Sequence, residues 1–234
     1  MADPLPPSGP PVTSVEEAIA RMQAIEQALP AADGLACFNR MYLAVTQTVG
    51  QEVGEGFFTD PGFMTRLDVV FANLYFAAAG AASVPATVPL AWRPLVERRA
   101  SAGIEPIQFA LAGMNAHINH DLPLAVVTTC AELGTEPAAG PHLADFQKVD
   151  QLLDAAEQSV RRSFESRPEL AVDRHLQAVD NLVACWSINS ARDLAWQNSL
   201  VLWKLRPEPA ASGFFLDGLA AATALASRLL LTAV

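Results

Sequence analysis

Apolar residues along the chain recur at spacings of three and four, and almost no stretch alternates with period two between turn signals. The pattern predicts helices throughout. Ser14 before Val15-Glu16-Glu17 reads as an N-cap with acids in the first turn, opening a helix to about Leu29, before Pro30. Asp33-Gly34 opens a second, from about Leu35 to Val53, closing near Gly54 and Gly56. Asp60-Pro61 opens a third, through Ala82. Pro94 and Pro106 suit first helical turns, predicting a short helix to Ala102 and a long one from Pro106. Gly134 and the Pro137–Pro141 stretch form a loop, and His142–Phe164 and Asp173–Leu205 follow as long helices. Pro207 and Pro209 set off a terminal helix. The expected fold is all-α: a single-domain bundle of about eight helices over residues 14–234, behind a disordered proline-rich lead at 1–13.

The most informative stretch is Gly113-Met114-Asn115-Ala116-His117-Ile118-Asn119-His120-Asp121-Leu122-Pro123. At about 100° per residue, His117, His120 and Asp121 share one helix face. Ala110, Gly113 and Met114 leave room above the imidazoles, and Gln108, Asn115 and Asn119 form a second polar row. A helix polar on two faces is expected to run through the middle of a bundle, where each buried polar group needs a partner or a function. Pro123 cannot donate to the Asn119 carbonyl, so a kink is expected just beyond His120 and Asp121.

The same arithmetic points Asp68 into the core beside Met64, Phe71, Ala72, Tyr75 and Ala79. It sets Trp186, Asn189, Asp193, Trp196 and Leu200 along one side of a later helix, and Asn39, Tyr42 and Thr46 along the second. Together these would enclose a mostly apolar pocket with a few convergent polar groups, the usual form of a small-molecule site. His117, His120, Asp121 and Asp68 are the candidate catalytic residues. Asn39, Tyr42, Tyr75, Met114, Asn115, Asn119, Trp186, Asn189, Asp193 and Trp196 are the candidate substrate contacts. Three readings of the polar cluster stay open: one divalent metal (Zn, Fe or Mn) held by His117, His120, Asp121 and Asp68; metal-free acid/base or binding chemistry; and structural pairing, with Asp68 bonded to an Arg such as Arg192. His142 and His175 are expected at the surface.

Composition narrows the partners. The 234 residues carry a formal charge of −10, with Lys148 and Lys204 the only lysines among 15 basic side chains, so no basic stripe exists for nucleic acid or anionic membranes. Cys37, Cys130 and Cys185 are far apart in apolar stretches and read as buried reduced thiols. The opening residues lack the layout of a signal peptide, and a cytoplasmic protein is expected. The segment from Phe214 to Val234 is apolar, but Asp217 and Arg228 interrupt it, so a docked helix is expected rather than a membrane span. No GxGxxG, P-loop, GxSxG, HExxH or EF-hand loop is present.

GIEPIQFALAGMNAHINHDLPLAVV from Gly103, GLACFNRMYLAVT from Gly34, DPGFMTRLDVVFANLYF from Asp60 and AWxxxxxLWKLRP from Ala195 resemble the DUF5995 family of actinobacterial proteins over roughly residues 34–207. That resemblance implies a single helical domain from a high-GC bacterium and supplies no site residues. The residues themselves point to an enzyme acting on a largely apolar small molecule from the His117/His120/Asp121 face. A lyase, isomerase, cyclase or hydrolase fits, in bacterial specialised metabolism. The rival expectations are a non-catalytic hydrophobic-ligand-binding protein and a helical interaction protein, a homodimer, whose polar core is structural.

Overall fold

The structure is a computed structural model that describes residues 9–165 and 187–233. Helix α1 spans Val15–Ala28, with Ser14 Oγ accepting the Glu17 N–H and Val15, Ala18, Met22 and Ile25 buried at helical spacing. Helices α2 (Gly34–Gly54) and α3 (Pro61–Gly80) start at the carboxylates of Asp33 and Asp60, which accept the N–H groups of Leu35 and Phe63. Each cap satisfies an N–H that the first turn leaves orphaned. Two short 3₁₀ turns lead into α4 (Arg93–Arg98), which ends four residues before the expected Ala102.

Helix α5 (Pro106–Ala116), a π turn (His117–Asp121) and α6 (Leu122–Glu132) form one continuous helical run. The kink expected at Pro123 is realised as that wide turn: the Leu122 N–H bonds to the His117 carbonyl, five residues back. The extra residue in the turn is accommodated where proline has no N–H to continue the ladder. Every residue from Ile107 to Ala116 is buried, so α5 is the axis of the bundle. Helix α2 and the terminal helix (Pro209–Leu230) flank α5, α6 lies against α3 and the helix at Ile188–Leu205, and α1 covers α2 and α3. Gly113 permits the α2 approach, because a Cβ there would fall within the Phe38 ring.

Helix α7 spans His142–Glu165 and α8 spans Ile188–Leu205. Helix α8 therefore begins at the Ser187 cap, not within a helix continuing from Asp173. Its buried face is Ile188, Ala191, Arg192, Ala195, Trp196, Ser199 and Leu202, which puts Asp193 in solvent. Helix α9 (Pro209–Leu230) is long and apolar enough to cross a membrane by length and composition, and here it packs on α5, α4 and α8. The polar row on the central helix holds it. Gln108 Nε2 donates to the carbonyls of Leu230 and Thr232, Asn115 Nδ2 to the Thr223 carbonyl and Ser227 Oγ, and Asn119 Nδ2 to Asn115 Oδ1.

Two expectations are corrected at the edges. Ordered packing starts before residue 14: Val12 is buried, and its N–H and carbonyl both bond the Asn73 amide. His142 is buried, stacked on Phe63 at 4.0 Å with Nδ1 against the Glu136 carbonyl, because the α7 start is pinned under the loop before it. Cys37 and Cys130 are free and buried, and burial pushes their thiols up to about 11 and about 12. Cys185, His175 and Trp186 lie outside the described residues.

Candidate functional site

The π turn fixes the geometry of the polar cluster. Asp121 is buried at its end and takes three donors: Trp92 Nε1 at 2.8 Å and His117 Nδ1 at 3.0 Å on Oδ2, and His120 Nδ1 at 2.8 Å on Oδ1. Burial alone would raise the Asp121 pKa. The hydrogen bonds and charges of the two imidazoles outweigh it, leaving the group below the ordinary 3.8 and ionised. An ionised carboxylate only accepts, so His117 must present its Nδ1–H to Asp121. The other ring nitrogen, Nε2, then carries a lone pair. It is buried and has no hydrogen-bond partner.

Nε2 belongs to a ring that faces a cavity of about 100 Å³. Phe71 stacks on this ring at 3.5 Å, and Tyr42 and Phe38 meet it edge-on. Burial lowers the His117 pKa against the pull of Asp121, so the imidazole is neutral near neutral pH. The cavity lies among α2, α3, α5, the π turn, the start of α6, α7 and α8, and apart from Tyr42, Asp68, His117 and Arg192 its lining is aliphatic, aromatic or thioether. Asp68 is half-buried in that wall, with Oδ2 fully enclosed and without a partner. Burial raises its pKa to about 7. The Tyr42 phenol is held well above its ordinary value, by burial and then by the charge of Asp68.

The metal set expected from sequence is not assembled. Among the described residues no three His, Cys, Asp or Glu side chains are grouped to hold an ion. The reason is geometric: Asp121 occupies the Nδ1 atoms of both imidazoles, and only His117 and Asp68 reach the cavity. His120 braces Asp121 and does not line the cavity.

The sequence profile of a family of unknown function, DUF5995, matches residues 15–233. The chain belongs to the DUF5995 family. No curated protein and no solved structure matches it.

In this DUF5995 chain the structure sorts the remaining expected contacts into two groups. Tyr42 and Met114 line the cavity. Asn39 and Tyr75 do not: Tyr75 Oη donates to Asn39 Oδ1 and Asn39 Nδ2 to the Met22 carbonyl, which ties α3 and α2 to α1. Asn115 and Asn119 serve the α9 clamp. Trp196 packs on Phe146 at 4.8 Å behind the cavity wall, and neither Asn189 nor Asp193 reaches the cavity. Arg192 is paired with Asp150 and the Phe146 carbonyl instead of Asp68. The space expected above Gly113 is filled by Phe38.

Several DUF5995 residues that matter here escape the sequence pattern. Trp92 locks Asp121 from α4's start, and only the general need of a buried indole N–H for an acceptor would have pointed to it. Phe146, Val149 and Leu153 bring α7 to the cavity as an unremarkable apolar stripe.

Proposed function

We propose that the protein is an enzyme that binds a small, largely apolar molecule in the central cavity and moves protons on it. His117 Nε2 is the base, held in its productive tautomer by Asp121, and Asp68 is the acid, protonated at near-neutral pH. A neutral imidazole and a protonated carboxyl facing one apolar cavity form an acid/base pair set apart by environment. The single observation that carries this reading is that the polar cluster is satisfied everywhere except at the cavity surface. Asp121 accepts from three donors, while His117 Nε2 and Asp68 Oδ2 lack partners. Buried polar groups in that state cost about 1–3 kcal/mol each, a cost that a ligand's polar group would relieve. Lyase, isomerase, cyclase and hydrolase chemistry all draw on such a pair.

The hydrocarbon lining supports a second reading, a non-catalytic carrier of a hydrophobic molecule whose one polar end is oriented by His117 and Asp68. One experiment separates them. The purified protein is incubated with an organic cell extract in D2O, and retained compounds are followed by native mass spectrometry and chromatography. Catalysis predicts a retained compound that is chemically changed or gains deuterium with the wild type, and is retained but unchanged with His117→Gln and Asp68→Asn. Retention without any change by the wild type selects the carrier. If nothing is retained by a cooperatively folded wild type, both readings fail.

A further inference from the structure

Helix α9 buries one face on the bundle through Ala220, Thr223, Ala224, Ser227 and Leu230. The opposite face is apolar and bare: Phe214 is 83% exposed, Leu225 59% and Leu229 62%. With exposed Gly218, Ala221 and Ala222, these residues fall within about 100° of arc on the helix. Single exposed apolar side chains are ordinary, but a continuous stripe with an almost wholly exposed phenylalanine at one end marks a contact surface.

The order of residues along the stripe identifies the occupant. Reversing the helix about a point between Ala221 and Ala222 sets Phe214 opposite Leu229, Gly218 opposite Leu225, and Ala221 opposite Ala222. Large residues close both ends, each Leu225 meets the gap over a glycine, and the middle is small enough for backbones to approach. The charges obey the same symmetry. Asp217 and Arg228 are exposed on the same flank of the stripe, on either side of that centre at about 7 Å and about 10 Å along the axis, an offset the long Arg228 side chain spans. A two-fold axis perpendicular to the helix brings the same flank of each helix together, so Asp217 of one copy faces Arg228 of the other, twice. A parallel pairing, about a two-fold along the helices, would put the two charged flanks on opposite sides and leave Asp217 and Arg228 of the two copies apart.

We infer that α9 is the interface of a two-fold homodimer, in which the α9 helices of two copies of this chain pack antiparallel about Ala221 and Ala222. The surface is isologous, the form that closes at two subunits. The interface is independent of the central cavity, whose lining includes no residue of α9.

Sedimentation velocity on the full chain over a hundredfold range of concentration is expected to show a reversible dimer. Leu225→Glu, an exposed position that leaves the fold intact by circular dichroism, gives monomer. Asp217→Arg and Arg228→Asp each turn two attractive pairs into repulsive ones and weaken the dimer roughly tenfold, and the double exchange restores it. Ala222→Cys cross-links to its own copy under mild oxidation, whereas Phe214→Cys, about 22 Å from its copy along the axis, does not. A monomer at every concentration overturns the proposal, as does a dimer indifferent to Leu225→Glu. So does a double exchange that leaves the dimer as weak as the single changes do. A monomer that pellets with phosphatidylcholine vesicles would assign the stripe to a lipid surface instead.

Discussion

Asp68 and His117 impose opposite pH dependences on stability. Folded Asp68 keeps its proton to about pH 7, whereas in the unfolded chain it titrates near its ordinary 3.8. Between those values the folded state binds more proton, so stability falls as pH rises. His117 titrates below its ordinary 6.5 when folded, so under pH 6.5 the unfolded chain takes up a proton the folded chain refuses, and stability falls as pH drops. The two slopes oppose each other just below pH 6.5 in the wild type. Asp68→Asn is expected to raise stability at pH 8, by at most about 4 kcal/mol, and to expose the acid-side loss of His117. His117→Gln exposes the reverse slope, with stability growing from pH 7 toward 4. Urea melts of both variants across this range check the signs. Asp121→Asn replaces one of the two oxygens that accept three N–H bonds by an NH2 donor and removes the charge, and is expected to cost about 2–4 kcal/mol by the same melts. The periodicity of the sequence pointed to Asp68, His117 and Asp121. It could not assign their partners, because Trp92 lies 29 residues from Asp121 in the chain.

The elements were legible wherever their ends are made by local chemistry. Ser14, Asp33 and Asp60 cap through bonds to N–H groups two or three residues away, and Pro106 needs no donor at a first turn. The π turn is a different case. Pro123 signals a disturbed ladder, yet whether the helix breaks, bends or widens depends on what packs on both sides of it. Widening keeps α5 and α6 continuous and sets both His117 and His120 on Asp121. The contact of α5 with α2 rests on Gly113, and Gly113→Ala is expected to destabilise the protein by about 1–3 kcal/mol through displacement of Phe38, read from denaturant midpoints. Phe38 also packs edge-on against His117, so a displaced ring should shift the His117 imidazole resonances in NMR spectra as well.

At the largest scale, the cavity is where six helices and the π turn meet. Val149 of α7 faces it from a helix whose sequence carries no sign of a site. Val149→Phe is expected to fill the space with a change in stability within about 1 kcal/mol, while abolishing retention of any extract compound by native mass spectrometry. A cavity variant that keeps both its melt and its retained compound would place the binding site elsewhere. The all-helical class, most helix boundaries and the inward direction of Asp68, His117 and Asp121 follow from the order of residues alone, because periodicity and caps act over a few residues. That Asn39, Tyr75, Asn115 and Asn119 hold helices together, while Asp68 and His117 share free space, is set by the packing of the folded chain. That packing also turned α8 to pair Arg192 with Asp150. Those outcomes depend on how rigid helices rotate and cross, which is set by packing among residues far apart in the chain.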